Sequence, residues 1–106
     1  MNRLVKMVLA EVRERFRQLY GDRLVEMVLF GSQARGSAEP GSDIDVLTVL
    51  TGEVNPGREI SRISEVLADI CLRHDVVVSC LFIDEQSFRQ RNGPLLRNVR
   101  REGVRI

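Results

Sequence analysis

Residues 30–50 read FGSQARGSAEPGSDIDVLTVL, and the predicted strand topology follows from this stretch. An apolar run at 24–30 ends at a glycine, and a second apolar run covers 43–50. The residues between them, 31–42, are small and polar and predict a loop, with one helical turn over 33–35. Because this loop is too short for a crossover helix, we predict that the two flanking strands are antiparallel neighbours.

The rest of the chain supplies helices and a third strand. Apolar residues that recur every three or four positions predict helices over residues 3–20, Pro56 to Arg73 and 94–101. Asn55 is the predicted N-cap of the second of these, and Asp84 is the predicted cap of a further short helix over 85–91. Residues 75–83 are rich in β-branched side chains and predict a strand parallel to its predecessor, because a whole helix joins the two. We therefore predict an α/β (α+β) fold in one domain over residues 1–106. Its small mixed sheet has about three strands flanked by helices, in the order α-β-β-α-β-α.

Charge, cysteines and hydropathy limit the classes of protein and partner. The net charge of +1 argues against a general nucleic-acid binder, which is usually strongly basic. Cys71 and Cys80 lie in apolar segments without a metal-binding pattern, so we expect reduced core cysteines and a cytoplasmic protein. The charged, amphipathic N-terminus is not typical of a signal peptide, and no apolar run reaches the ~20 residues that span a membrane. The sequence leaves the oligomeric state open.

Two aspartates carry the predicted chemistry. Asp43 and Asp45 are two residues apart on a strand, so both carboxylates project from the same face. Such carboxylates repel unless a cation lies between them, and Mg²⁺ prefers oxygen ligands. Asp75 opens the third predicted strand at the same edge of the sheet and offers a third carboxylate. Three carboxylates can hold a pair of ions that serve in-line displacement at phosphorus.

A phosphate cradle is predicted beside these acids. Gly31 and Ser32 lead into the helical turn, where free backbone N–H groups bind anions, and Arg35 adds a charge-assisted contact. Simpler interpretations stay open for each residue. The acids could cap turns or lie in solvent, Ser32 could cap its turn, and Arg35 could lie on the surface or pair with Glu39.

The motif resembles the GS-x10-DxD signature of the DNA polymerase β-type nucleotidyltransferase superfamily. The run FGSQARGSAEPGSDIDVLTVL is similar to the minimal nucleotidyltransferase (MNT) group in particular, and so are the later HDVVV and PLLRNVRREGVRI. The resemblance implies the nucleotidyltransferase fold. It also implies that Gly31 and Ser32 bind a triphosphate, that Asp43 and Asp45 bind Mg²⁺, and that Asp75 is the base for the incoming hydroxyl.

The resemblance also implies a partner. Members of this group are often antitoxins that transfer AMP from ATP to a tyrosine of a HEPN-domain toxin. The expected function is therefore Mg²⁺-dependent transfer of a nucleotide to a hydroxyl of a partner protein. The alternatives are a non-catalytic nucleotide-binding antitoxin that masks its partner, and a small-molecule nucleotidyltransferase of the antibiotic-modifying type.

Overall fold

The structure of the protein is a computed structural model that describes all residues, 1–106. It contains five α-helices and four strands. In chain order these are α1 (Arg3–Tyr20), β1 (Leu24–Phe30), α2 (Ser32–Arg35), β2 (Ile44–Leu50), α3 (Pro56–His74), β3 (Val78–Asp84), α4 (Glu85–Gln90), α5 (Pro94–Glu102) and β4 (Val104–Arg105). A short 3-10 turn, Gly21–Arg23, joins α1 to β1. None of the helices has both the length and the apolar character needed to cross a lipid bilayer.

The four strands form one mixed sheet in the order β3-β2-β1-β4. The predicted antiparallel pairing of β1 with β2 and parallel pairing of β2 with β3 are both confirmed. The fourth strand is an addition to the three predicted ones. It pairs antiparallel with β1 through Val28 with Arg105 and Leu29 with Val104. A strand of two residues is too short to show the alternation of apolar and polar side chains that identifies strands in a sequence, so no sequence pattern marks it.

Helices cover both faces of the sheet. The larger core lies between the sheet and helices α1 and α3, where Leu29, Ile44 and Val46 pack with Phe16 and Ile63. The smaller core lies on the opposite face, where Val28 and Leu47 pack with Leu96 and Val99 of α5. Side chains alternate along β2. Ile44 therefore points to the larger core, and Asp43 and Asp45 on either side of it point to the face of the sheet that α5 covers.

Side-chain caps define where the helices begin. The Asn2 carboxamide accepts a hydrogen bond from the Val5 N–H at 2.8 Å, at the start of α1. Asn55 caps α3 by accepting from the Arg58 N–H at 3.2 Å, and Asp84 caps α4 by accepting from the Ser87 N–H at 2.9 Å. The caps predicted at Asn55 and Asp84 are confirmed, and they satisfy backbone donors that the first helical turn leaves free.

The third strand begins later than the sequence predicts. It starts at Val78 instead of residue 75, because Asp75 adopts a left-handed conformation (φ +53°, ψ +50°) and ends α3. Its backbone N–H donates to the Cys71 carbonyl in the manner of a helix C-cap. The β-branched residues that follow, Val76 and Val77, precede the regular ladder of β3.

Candidate active site

The two aspartates lie where the chain enters β2. Asp43 directly precedes the strand and is exposed, whereas Asp45 is its second residue and is half-buried. Ile44, between them, is 1% exposed in the core beside α1 and α3. Both carboxylates are therefore directed to the opposite face of the sheet, at the edge where β1 ends and β2 begins.

Burial and like charge act together on Asp45. Its pKa is raised above the usual range, first by desolvation and then by the negative charge of Asp43, while Arg35 acts weakly in the opposite direction. No hydrogen bond from the protein stabilises the Asp45 carboxylate. A divalent cation between the two acids would supply the missing positive charge, so this pair fits an oxygen-preferring metal such as Mg²⁺.

Gly31 lies against the Asp45 carboxylate. Phe30 pairs with Asp45 across the β1–β2 ladder, which brings the next residue of the chain over the carboxyl group. A Cβ atom at position 31 would lie 3.3 Å from Asp45 Cγ and would overlap Oδ2. The backbone at Gly31 also has φ +76°, a conformation that other residues rarely adopt. Both constraints require glycine at this position.

Helix α2 starts at Ser32, immediately after Gly31. The N–H groups of Ala34 and Arg35 donate to the Gly31 carbonyl at 3.1 and 3.2 Å. The first N–H groups of any helix, here those of Ser32 and Gln33, have no acceptor within the helix. The structure thus places the start of α2 directly after Gly31, which lies against the Asp45 carboxylate.

Arg35 is held at the edge of the site by a distant residue. Its guanidinium lies 3.4 Å from the Glu102 carboxylate at the end of α5, and this ion pair connects residues 67 positions apart. The sequence left open an ion pair between Arg35 and Glu39, but in the structure Arg35 pairs with Glu102 instead. The Arg35 side chain remains 47% exposed, so it is free to turn toward an anion beside Asp45.

Gln33 also belongs to the site, although it was not among the predicted site residues. Its side-chain amide donates to the Ser42 carbonyl at 3.3 Å. This bond fastens α2 to the residue before Asp43 and so fixes the separation of the helix start from the two acids. A glutamine in a short polar loop resembles any solvent-exposed residue, so no local signal marked it.

Asp75 does not join the other two acids, which corrects the expectation of three carboxylates in one cluster. It is exposed and lines a cleft of about 370 Å³ together with Gln33, Ser42 and Ile44. Neither Asp43 nor Asp45 lines this cleft. Nowhere in the structure do three Asp, Glu, His or Cys side chains gather closely enough to hold a metal ion. The left-handed turn at the end of α3 is the physical reason, because it holds Asp75 outside the strand.

The negative charge of Asp45 destabilises the folded protein when no metal is bound. Its pKa is raised in the folded protein, so the native state favours the protonated form and loses stability as the pH rises through that pKa. We expect metal-free Asp45→Asn to melt a few degrees above wild type at pH 7, and the difference to shrink toward pH 4. Differential scanning fluorimetry in the presence of EDTA measures the melting midpoints of wild type and variant at each pH. A lower midpoint for the variant at pH 7 would contradict the electrostatic description of the site.

Known proteins resemble this chain over most of its length. Residues 9–102 match the nucleotidyltransferase domain family. A Methanocaldococcus jannaschii protein named "putative protein adenylyltransferase" is 31% identical over 99 residues, which cover 89% of this chain. The aligned region spans 65% of that relative's own length.

Two solved structures share the fold. One is a chain of the complex between the tri-AMPylated HEPN toxin of Shewanella oneidensis and its MNT antitoxin. It has a TM-score of 0.60 and 18% identity, and the match covers 95% of this chain and 70% of that one. The other is the spectinomycin adenyltransferase AAD(9) of Enterococcus faecialis, solved with ATP and spectinomycin. Its TM-score is 0.69 at 16% identity, with 95% of this chain and 55% of that one covered.

The family match extends over the site described above. It includes the end of β1, the start of α2 and the aspartates of β2, together with the helices that enclose them. The solved structures show the same fold at low identity. The chain therefore belongs to the nucleotidyltransferase domain family.

Proposed function

We propose that this protein transfers AMP from ATP to a hydroxyl group of a partner protein in a Mg²⁺-dependent reaction. The observation that carries the proposal is the contact of Gly31 with the Asp45 carboxylate. This contact joins a potential phosphate cradle to a potential metal site, and the two together are the minimum needed for nucleotidyl transfer. The name of the archaeal relative supports a protein acceptor and an adenylyl group.

The triphosphate would lie over the start of α2. The backbone N–H groups of Ser32 and Gln33 and the Ser32 hydroxyl can donate hydrogen bonds to phosphate oxygens. Gly31 has no side chain, so a phosphate can approach the backbone closely. Arg35, which is half-exposed and tied only to Glu102, can add a charge-assisted hydrogen bond.

Asp43 and Asp45 would hold the Mg²⁺ ion between them. When bound, the ion neutralises charge on the triphosphate and polarises the α-phosphate. The acceptor oxygen forms a bond to the α-phosphorus, and the bond from that phosphorus to the oxygen bridging to the β-phosphate breaks. Pyrophosphate leaves with the electron pair, and the hydroxyl proton passes to solvent.

A HEPN-domain protein is the partner that we propose. The neighbouring fold in the Shewanella oneidensis complex belongs to a pair in which the toxin is tri-AMPylated. In this chain, Asp43 is exposed at the edge of the sheet, so a side chain presented by a large acceptor can reach the site. Both proteins would meet in the cytoplasm, where ATP is available and the free Cys71 and Cys80 stay reduced.

Mass spectrometry of the partner tests this function directly. The purified protein is incubated with a HEPN-domain protein from the same organism, with ATP and Mg²⁺, and the masses of both proteins are measured. We expect the partner to gain one or more AMP units, and EDTA to abolish the gain. No gain of mass in the presence of bound ATP and Mg²⁺ would contradict transfer.

A non-catalytic antitoxin is the second candidate. The observation that favours it is the placement of Asp75 away from the other acids, which leaves only two carboxylates at the site. Such a protein would bind its partner and neutralise it without changing its mass. The same experiment separates the candidates, because neutralisation without AMP addition is the result that only the second candidate predicts.

A further inference from the structure

We infer that the metal site of this chain contains two carboxylates and holds one divalent cation, where three carboxylates would hold a pair. This inference rests on the proposed function and concerns the same site. It departs from the expectation that Asp75 completes the cluster, and it is carried by the register of β2 against β3.

The parallel ladder shows which residues flank the two acids. Asp45 pairs with Ser79 of β3, and the Ile44 N–H donates to the Val77 carbonyl at 2.9 Å. Paired residues of neighbouring strands project from the same face of a sheet, so Ser79 lies beside Asp45. Val77, two residues earlier, lies at the level of Asp43 and is 55% exposed. A third carboxylate from this neighbouring segment would have to come from one of these two positions, and neither is acidic.

Asp75 is unable to replace them in this structure. It ends α3 in a left-handed turn, two residues before Val77. The cleft that it lines also contains Val5 and Ile44, which belong to the core beside α1 and α3. Neither Asp43 nor Asp45 lines that cleft, so Asp75 is separated from the carboxylate pair.

The chemical consequence concerns the acceptor side of the reaction. Asp43 and Asp45 can hold one cation that contacts the triphosphate, and the protein offers no further carboxylate for a second cation at the acceptor oxygen. Without a third carboxylate, this chain also lacks an acidic base near the pair. The acceptor hydroxyl therefore loses its proton to solvent, as in the step proposed above.

Counting bound ions tests the inference without measuring activity. The full chain is dialysed to equilibrium against Mn²⁺ and an ATP analogue with a methylene bridge between the α- and β-phosphorus atoms, which prevents transfer. Protein-bound Mn²⁺ is counted by electron paramagnetic resonance and the nucleotide by absorbance. We expect one ion and one nucleotide per chain, and Asp75→Asn should leave both numbers unchanged.

Two ions per wild-type chain, falling to one in Asp75→Asn, would overturn the inference and leave the proposed function intact. Binding of neither ion nor nucleotide would instead contradict the proposed function itself. The two failures are therefore distinguishable in one experiment.

Adding a carboxylate beside the pair tests the same inference in the opposite direction, because it should create a site for a second ion. Val77→Asp and Ser79→Asp each place an acid beside the pair, and Val77→Asn and Ser79→Asn are their uncharged controls. We expect at least one aspartate variant to bind two Mn²⁺ ions per chain, and both asparagine variants to bind one. Circular dichroism confirms folding of each variant. One ion in both folded aspartate variants would contradict the assigned position of the missing carboxylate.

Discussion

Replacing Asp45 with asparagine is expected to lower AMP transfer by about 10³-fold or more, while the domain stays folded. A bound metal contributes several kcal/mol to charge stabilisation, and each 1.4 kcal/mol is about tenfold in rate. Asparagine keeps the size of the side chain and removes the charge that the metal needs. The same loss is expected for Asp43→Asn. Initial rates of radiolabelled AMP incorporation into the partner measure both effects.

Asp22→Asn is the matched control for these variants. It makes the same chemical change at an exposed aspartate in the turn before β1, at the end of that strand remote from the site. Its transfer rate should equal that of wild type. Wild-type activity in Asp43→Asn or Asp45→Asn would show that the metal ligands have been assigned wrongly.

Gly31→Ala should damage both stability and activity, whereas Gly36→Ala should damage mainly stability. The two glycines share a φ of +76° but differ in ψ, which is 12° at Gly36 and −159° at Gly31. Alanine therefore costs about 1–2 kcal/mol of backbone strain at the left-handed Gly36 and about 1–3 kcal/mol at Gly31, whose conformation is almost exclusive to glycine. Only at Gly31 does the new Cβ meet the Asp45 carboxylate, because the space beside Gly36 is open. Displacing a reacting group by about 1 Å can cost ~10²-fold in rate.

Urea unfolding and transfer rates together separate these effects. We expect Gly31→Ala to lose about 1–3 kcal/mol more unfolding free energy than Gly36→Ala, as in other overpacked sites. Its transfer rate should fall about 100-fold, while Gly36→Ala retains most of its activity. Equal losses of activity in the two variants would contradict the role given to the contact between Gly31 and Asp45.

Local patterns in the sequence predicted most of the fold. The helical stripe of α1, the Asn55 cap of α3 and the two apolar runs around the glycine-rich loop all act over a few residues. Such features depend on nearest neighbours in the chain, so their conformations can be read without tertiary structure. The pairing of β1 with β2 followed from the short loop alone.

The parts that were missed depend on single backbone angles or on distant contacts. Asp75 stands in a run that reads as a strand, yet its left-handed conformation ends α3 and delays β3 to Val78. The ion pair between Arg35 and Glu102 joins residues 67 positions apart, and no local pattern encodes it. The sequence placed Gly31 and Asp45 only at the same edge of the sheet. The overlap of a Cβ atom at position 31 with the Asp45 carboxylate, which requires glycine there, could be found only from atomic positions.

These differences change the predicted chemistry of the site. The sequence pattern predicts three acids around a pair of ions, whereas the register of β3 leaves two acids beside Val77 and Ser79. The phosphate cradle is unaffected, because it depends on the junction of β1 and α2. In the proposed function, nucleotide binding and acceptor activation are separable parts of the site, and the residues of this chain would serve mainly nucleotide binding.

A crystal structure with Mn²⁺ and the methylene-bridged ATP analogue tests the assignment of Asp43 and Asp45 as the metal ligands. We expect one anomalous peak within about 2.2 Å of carboxylate oxygens from both Asp43 and Asp45, the distance of a hard cation from its oxygen ligands. We also expect a phosphate oxygen within hydrogen-bonding distance of the Ser32 N–H. A nucleotide bound elsewhere, or a metal ion that contacts neither aspartate, would contradict this assignment.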